Sequence, residues 1–213
     1  MKDALSILQD LIQLDTQNPP GNEIIAVEYI QQFCDELHLR YKTYIYEKTR
    51  GNIVVEIGPE THENLIILSH LDVVQAQKED WSVDPFSGTI VDGVLYGRGT
   101  LDMKYFVACA LQSIQRLGPI AHTLKKGITF VFSADEEKGS AFGLPRLLQE
   151  EGMKEKLSHR IVINEGGGFA LFDKDHNCHY VYESGQKSVA RIRVKVKETK
   201  DWKLQATSLG CSY

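Results

Sequence analysis

The sequence predicts an α/β fold, a mixed, largely parallel sheet flanked by helices, on two observations. Helix and strand signals alternate through most of the 213 residues. Three stretches, "LIIL" (65–68), "ITFVF" (128–132) and "IVI" (161–163), are continuous apolar runs, the pattern of strands covered on both faces. Each run is followed within a few residues by side chains able to bind a cation: His70 and Asp72, then Glu136 and Glu137, then Glu165. In open α/β sheets the ligand site lies beyond the carboxyl ends of the strands. If the three strands are parallel neighbours, these groups meet in one cleft.

The elements follow in order. "DALSILQDLIQLD" (3–15) carries Leu5, Leu8, Leu11 and Ile12 at helical spacing. "TQNPPGNE" breaks that helix with Pro19, Pro20 and Gly21, and Asn22 is the expected cap of the next, "EIIAVEYIQQFCDEL" (23–37). Strands are expected at "YKTYIYE" (41–47), "NIVVEIG" (52–58) and "NLIILSH" (64–70). A long loop over 73–88 leads to a short hairpin turning at Asp92-Gly93. "LDMKYFVACALQSIQRLG" (101–118) reads as a helix stopped by Gly118 and Pro119. "GITFVFSA" (127–134) is a strand, "GLPRLLQEEG" (143–152) a helix, and "HRIVINEGGG" (159–168) a strand running into glycines. "CHYVYES" (178–184) and "SVARIRVKVKE" (188–198) complete the strands.

The totals exclude several classes. With 42% hydrophobic residues the chain can bury a sizeable core. A formal net charge of -5 and the lack of a Lys/Arg-rich run argue against nucleic-acid binding. No apolar stretch reaches the roughly 18 residues of a membrane span, and the N-terminus alternates too often for a signal peptide. Cys34, Cys109, Cys178 and Cys211 lie far apart with no CxxC pair, so neither a disulfide framework nor a thiolate zinc site is expected. The expected setting is cytoplasmic.

His70, Asp102, Glu137 and Glu165 supply one imidazole and three carboxylates, a set that suits zinc and also accepts cobalt or manganese. Crowded carboxylates without cations repel and hold protons instead. Each residue has a plainer reading. Asp72 favours a turn, or it accepts the free ring N–H of His70. Asp102 stands where an acidic side chain caps a helix. The glycines of "GRGTLD" serve close backbone approach or an ordinary turn.

Taken in order, "SHLDVV" (69–74), Trp81 with "DPF" (84–86), "DGVLYGRGTLDMK" (92–104), "ADEEKGS" (134–140) and "NEGGG" (164–168) closely resemble the di-zinc aminopeptidase-like family of exopeptidases and amidohydrolases. Its members include glutamate carboxypeptidase, acetylornithine deacetylase, succinyl-diaminopimelate desuccinylase, dipeptidases and aminoacylase. The resemblance covers about residues 1–185 and implies a zinc-exopeptidase-like catalytic domain. It implies that His70 and Glu165 bind one zinc, that Asp102 bridges two and that Glu137 binds the second. It further implies that Asp72 orients His70, that Glu136 is the general base acting on a metal-activated water, and that a cis peptide follows Asp102. The implied substrates are small peptides or N-acyl amino acids.

The resemblance stops near the end. Residues 1–185 are expected to form an incomplete catalytic domain, and 186–213 the start of a lid and dimerisation domain with an atypical tail. "ESGQKSVARIRVKVK" (183–197) resembles the first lid strand, but "ETKDWKLQATSLGCSY" (198–213) does not continue it, and no His follows His179. A truncated chain is therefore expected, whether a fragment, a frameshifted product or a short form, with exposed apolar surface. Homodimers, possible in the full-length family, are not expected of it. Two functions stand: a metal-dependent amide hydrolase, or an inactive metal-binding fragment of one.

Overall fold

A computed structural model describes residues 2–61, 63–165, 169–181, 192–195 and 205–208. The chain divides into two compact units, Met1–Glu165 and Gly166–Tyr213. In the first, α1 (Ala4–Gln13) and α2 (Ile24–Glu36) precede the strands β1 (Arg40–Glu47), β2 (Arg50–Ile57) and β3 (Leu65–His70). The hairpin β4 (Ile90–Val91) and β5 (Val94–Leu95) then leads to α3 (Lys104–Leu117) and β6 (Ile128–Ser133). Two short helices, α4 (Leu144–Leu147) and α5 (Met153–Leu157), precede β7 (Ile161–Ile163).

The sheet is mixed, in the order β1-β2-β6-β3-β7. β1, β2 and β6 pair antiparallel, whereas β6, β3 and β7 are the expected parallel neighbours. Strand alternation explains the two cores. Ile53, Val55, Ile57, Phe130 and Phe132 pack toward α1, α2 and α3, beside Ile7, Leu11, Val27, Ile30, Val107 and Leu111. Val54 and Val131 turn to the other face, with Tyr44, Ile66, Leu147 and Met153. Each such fully buried side chain contributes about 1.5–3 kcal/mol. The helices-on-both-faces architecture is the one expected.

Four local expectations need correction. Ile7, not Leu5, joins Leu11 and Ile12 on the buried face of α1, and Leu5 is exposed. Asn22 does not cap α2: Glu23 stands at the cap, and the Asn22 amide donates to the Asp15 carbonyl instead. The helix expected over 143–152 shortens to α4, and a separate α5, not foreseen, begins after Gly152, which takes φ +76°. "IVI" is not covered on both faces. Among the described residues it forms an end strand of the sheet, with Ile161 75%, Val162 46% and Ile163 45% exposed.

In the second unit β8 (Phe169–Phe172) pairs antiparallel with β9 (Cys178–Val181), and β10 (Ile192–Lys195) with β11 (Gln205–Ser208). β8 and β11 were not foreseen. Gly166 to Gly168 and the expected strand residues 182–184, 188–191 and 196–198 lie outside the described residues. Among the described residues no helix is long and apolar enough to cross a membrane.

Candidate metal centre

The parallel strands deliver their following residues to one end of the sheet. His70 closes β3 and is level with Ser133 at the end of β6, while Ile163 of β7 is level with Ile67. The ring of His70 is buried. Its Nδ1 lies 2.9 Å from the Asp72 carbonyl oxygen and 3.4 Å from Asp72 Oδ1. A carbonyl oxygen only accepts, so the neutral ring carries its proton on Nδ1 and leaves the Nε2 lone pair free. Nε2 faces Asp102 Oδ1 at 3.1 Å and Glu165 Oε2 at 3.3 Å.

The turn after β6 distributes its three carboxylates unequally. Glu136 and Glu137 form one 3-10 turn, entered through Asp135 at φ +65° and left through Gly139 at φ +99°. Asp72 holds the start of that turn. Its Oδ1 accepts from the Glu136 N–H at 3.0 Å and its Oδ2 from the Glu137 N–H at 3.1 Å. Asp135 points the other way, into the protein, where Arg50 donates to its Oδ1 at 2.7 Å and Asn18 to the same oxygen at 2.8 Å. One carboxylate of the three is thus buried in a hydrogen-bonded pocket, and two are left facing His70's cluster.

Two sets of ligand atoms lie within 4.8 Å of one another: His70, Asp102 and Glu137, and His70, Glu136 and Glu165. All five expected ligand or base residues are therefore brought together, with Asp72 behind His70. Asp102 does not cap α3, whose cap position is Met103 without a side-chain bond. The Asp102-Met103 peptide is cis, as the resemblance implies. Lys104, two residues on, is buried and donates Nζ to the carbonyls of Leu11 at 2.9 Å and Leu14 at 2.6 Å, fastening the end of α1 to the start of α3. Gly99 is required there: at φ +96°, a Cβ would stand 2.8 Å from Lys104 Cδ. From the other motifs, the Arg98 guanidinium lies 5.3 Å from the Trp81 ring centroid.

The electrostatics fit a bound divalent cation. Burial disfavours a charged His70, but hydrogen bonds and charges from Asp72 and Glu165 outweigh it and raise its pKa to about 11. Burial raises the Glu136 carboxyl, with Glu165, Asp72 and Asp102 adding to the push. Glu137 is raised by burial and then by Asp102. Glu165 is lowered chiefly by its hydrogen bond with His70. Protons thus do the neutralising that a metal ion would do for one imidazole and four carboxylates so close together. Burial alone lowers the Lys104 ammonium to about 7, since its partners are neutral carbonyls.

Sequence reasoning missed Asn18, Glu23, Arg50 and Lys104, all buried polar residues. Their partners are distant in sequence, so no local pattern reports them.

The chain matches the family described as Peptidase family M20/M25/M40 over residues 66–203. It is 31% identical over 172 residues to a protein named probable succinyl-diaminopimelate desuccinylase from Staphylococcus epidermidis, covering 80% of this chain and 41% of that protein. It is 29% identical over 145 residues to a protein named N-formyl-4-amino-5-aminomethyl-2-methylpyrimidine deformylase from Halalkalibacterium halodurans, covering 66% and 34%. The M20 family metallo-carboxypeptidase Sso-CP2 from Sulfolobus solfataricus shares the fold with TM-score 0.66 at 21% identity, over 92% of this chain and 40% of that one. Human carnosine dipeptidase 1 does so with TM-score 0.63 at 22% identity, over 75% and 38%. The chain spans about two-fifths of the length of the desuccinylase-named relative, the 41% just given.

Proposed function

The chain belongs to Peptidase family M20/M25/M40, and from that premise we propose that it carries the catalytic cluster of a metal-dependent hydrolase of amide bonds. The substrates proposed are small peptides, dipeptides or N-acyl amino acids, with no nucleic-acid or membrane partner. The observation that carries this reading is the convergence of Glu136, Glu137 and Glu165, which follow parallel strands, and of Asp102, which precedes α3, around His70. The 31% identity to a desuccinylase-named protein favours the N-acyl end of the substrate range. A cytoplasmic setting agrees with the free thiols of Cys34, Cys109 and Cys178.

We assign His70, Asp102, Glu137 and Glu165 to hold up to two zinc ions, with cobalt or manganese as substitutes. When bound, such ions supply Lewis acidity, polarising the scissile carbonyl and acidifying a water. The protein's own work is positional. Asp72 fixes the ring of His70 through its carbonyl and the Glu136–Glu137 turn through its carboxylate. Glu136 is the proton carrier, taking a proton from the attacking water and giving it to the leaving amine. Its raised carboxyl, half-buried among other acids, suits a group that must both accept and release a proton.

The exposed β7, next to Glu165, favours a second reading: a chain that binds metal but does not turn over until that edge is covered. One experiment separates the two. The purified chain, loaded with zinc, cobalt or manganese, is assayed on a panel of dipeptides and N-acetyl amino acids, beside Glu136→Gln. Metal-dependent hydrolysis lost in Glu136→Gln, with metal retained, supports the hydrolase. Bound metal without turnover supports the second reading. Hydrolysis undiminished in Glu136→Gln sinks the assignment of the base.

A further inference from the structure

Arg50 begins β2 and is 5% exposed, far from where a charged side chain costs little. Its guanidinium is spread over three partners. Nη2 donates to Asp135 Oδ1 at 2.7 Å and to Glu23 Oε1 at 2.8 Å, and Nη1 donates to the Pro20 carbonyl at 2.8 Å. Nε lies 2.8 Å from Glu23 Oε2 as an ion pair without hydrogen-bond alignment. Gly21 packs against the guanidinium: at φ +85°, a Cβ there would be 2.2 Å from Arg50 Cζ. The Phe142 ring covers another side, with its centroid at 5.1 Å.

From this hub a continuous set of hydrogen bonds leads to the turn that bears Glu136 and Glu137. Glu23 Oε1 accepts from the Asp135 N–H at 3.1 Å, so Arg50 and Glu23 grip both the side chain and the backbone of Asp135. Asp135 Oδ2 accepts from the Phe142 N–H at 3.2 Å, closing the loop behind the turn. Asn18 donates to Asp135 Oδ1 and to Asp72 Oδ2, both at 2.8 Å. Asp72 in turn accepts from the N–H groups of Glu136 and Glu137. Asp135 needs such a grip, because it holds a left-handed backbone conformation without being glycine.

We propose that Arg50 is a positioning residue for the metal centre: through Asp135, Asn18 and Asp72 it sets the backbone from which Glu136 and Glu137 project. It touches neither of those side chains, and it contributes no ligand. A surface arginine at the mouth of a hairpin would need none of these partners. Arg50 is built instead to satisfy two buried carboxylates at once, which a lysine's single ammonium cannot do with the same planar geometry.

The test uses Asp135→Asn, which keeps shape and tolerates the left-handed conformation, together with Arg50→Lys and Arg50→Met. Amide hydrogen exchange is first followed on the metal-free chain. Protection of residues 135–142 should fall by about tenfold or more in Asp135→Asn, while β2, β6 and α3 keep theirs, and Arg50→Lys should lie between wild type and Arg50→Met. Unchanged protection of the turn overturns the proposal. So does a loss spread over the whole unit in Asp135→Asn, which would make Arg50 a stability element only. The second arm rests on the metal-centre reading: cobalt affinity should fall about 10- to 100-fold in Asp135→Asn, with a changed visible spectrum. Wild-type affinity and spectrum in a variant with a loosened turn would overturn the link to the metal centre. A wild-type chain that binds no cobalt would sink that reading instead, leaving the exchange arm to decide the role of Arg50.

Discussion

His70 stands between two flanks of different make. On the inner flank Asp72 and Asp135 are buried, and each of their four carboxylate oxygens accepts at least one hydrogen bond. On the outer flank the Asp102 side chain is 66% exposed, and Glu165 follows a strand with every residue exposed. The inner carboxylates are fixed by protein donors, so their charge and direction are set before any ligand arrives. The outer ones meet His70 and each other, and Asp102 is mostly solvated. The contrast teaches that the acids near the imidazole do different work, and that burial with donors, rather than residue type, separates scaffold from ligand.

The turn that carries Glu136 is the most sensitive point. Glu136→Gln should lower metal-dependent hydrolysis by about 10²- to 10⁴-fold, while metal content stays at the wild-type level. Next comes the inner flank itself. Asp72→Ala strands two backbone N–H groups and one N–H of the Asn18 amide, while the Asp72 carbonyl that holds the His70 ring stays, and it should cost about 3–5 kcal/mol in urea unfolding of the metal-free chain. Asp102→Ala, by contrast, removes an exposed like charge and should change stability by less than about 1 kcal/mol. Equal losses in the two variants would erase the distinction between the flanks.

A smaller effect follows from the protonated His70. Its metal-free pKa is raised to about 11, so at neutral pH a metal must displace a proton. Affinity should rise about tenfold per unit between about pH 6 and about pH 8, with proton release visible in calorimetry across buffers. For the metal-free fold the sign is opposite. A raised pKa stabilises fully below the unfolded value of 6.5 and is lost as pH rises toward about 11. The smallest expected effect is on β7. Ile161→Lys should move stability by no more than about 0.5 kcal/mol yet reduce aggregation in light scattering, since an exposed apolar end strand is an association site.

Much of this was legible before the structure. The continuous apolar runs identify β3, β6 and β7, and the residues after them do converge. The central position of β6 buries it from Thr129 to Ser133, whereas β7, with the same kind of run, lies at the end of the sheet among the described residues and stays exposed. An apolar run reports what a strand can bury, not what covers it. The Arg50 hub was not legible, because Asp135 is 85 residues away and "KTRGN" reads as an ordinary hairpin turn. Nor could spacing tell Asp135 from Glu136 and Glu137: three adjacent acids look alike until a left-handed residue turns one inward. Asn22 failed as a cap because Glu23, held by Arg50, occupies that place.

Anomalous diffraction from crystals of the chain soaked in zinc, with data on both sides of the zinc edge, tests the metal centre at His70 directly. Anomalous density is expected beside His70 Nε2, bounded by the carboxylates of Asp102 and Glu165 and adjoining Glu137. Density elsewhere on the molecule, with none at His70 despite bound zinc in solution, would contradict it.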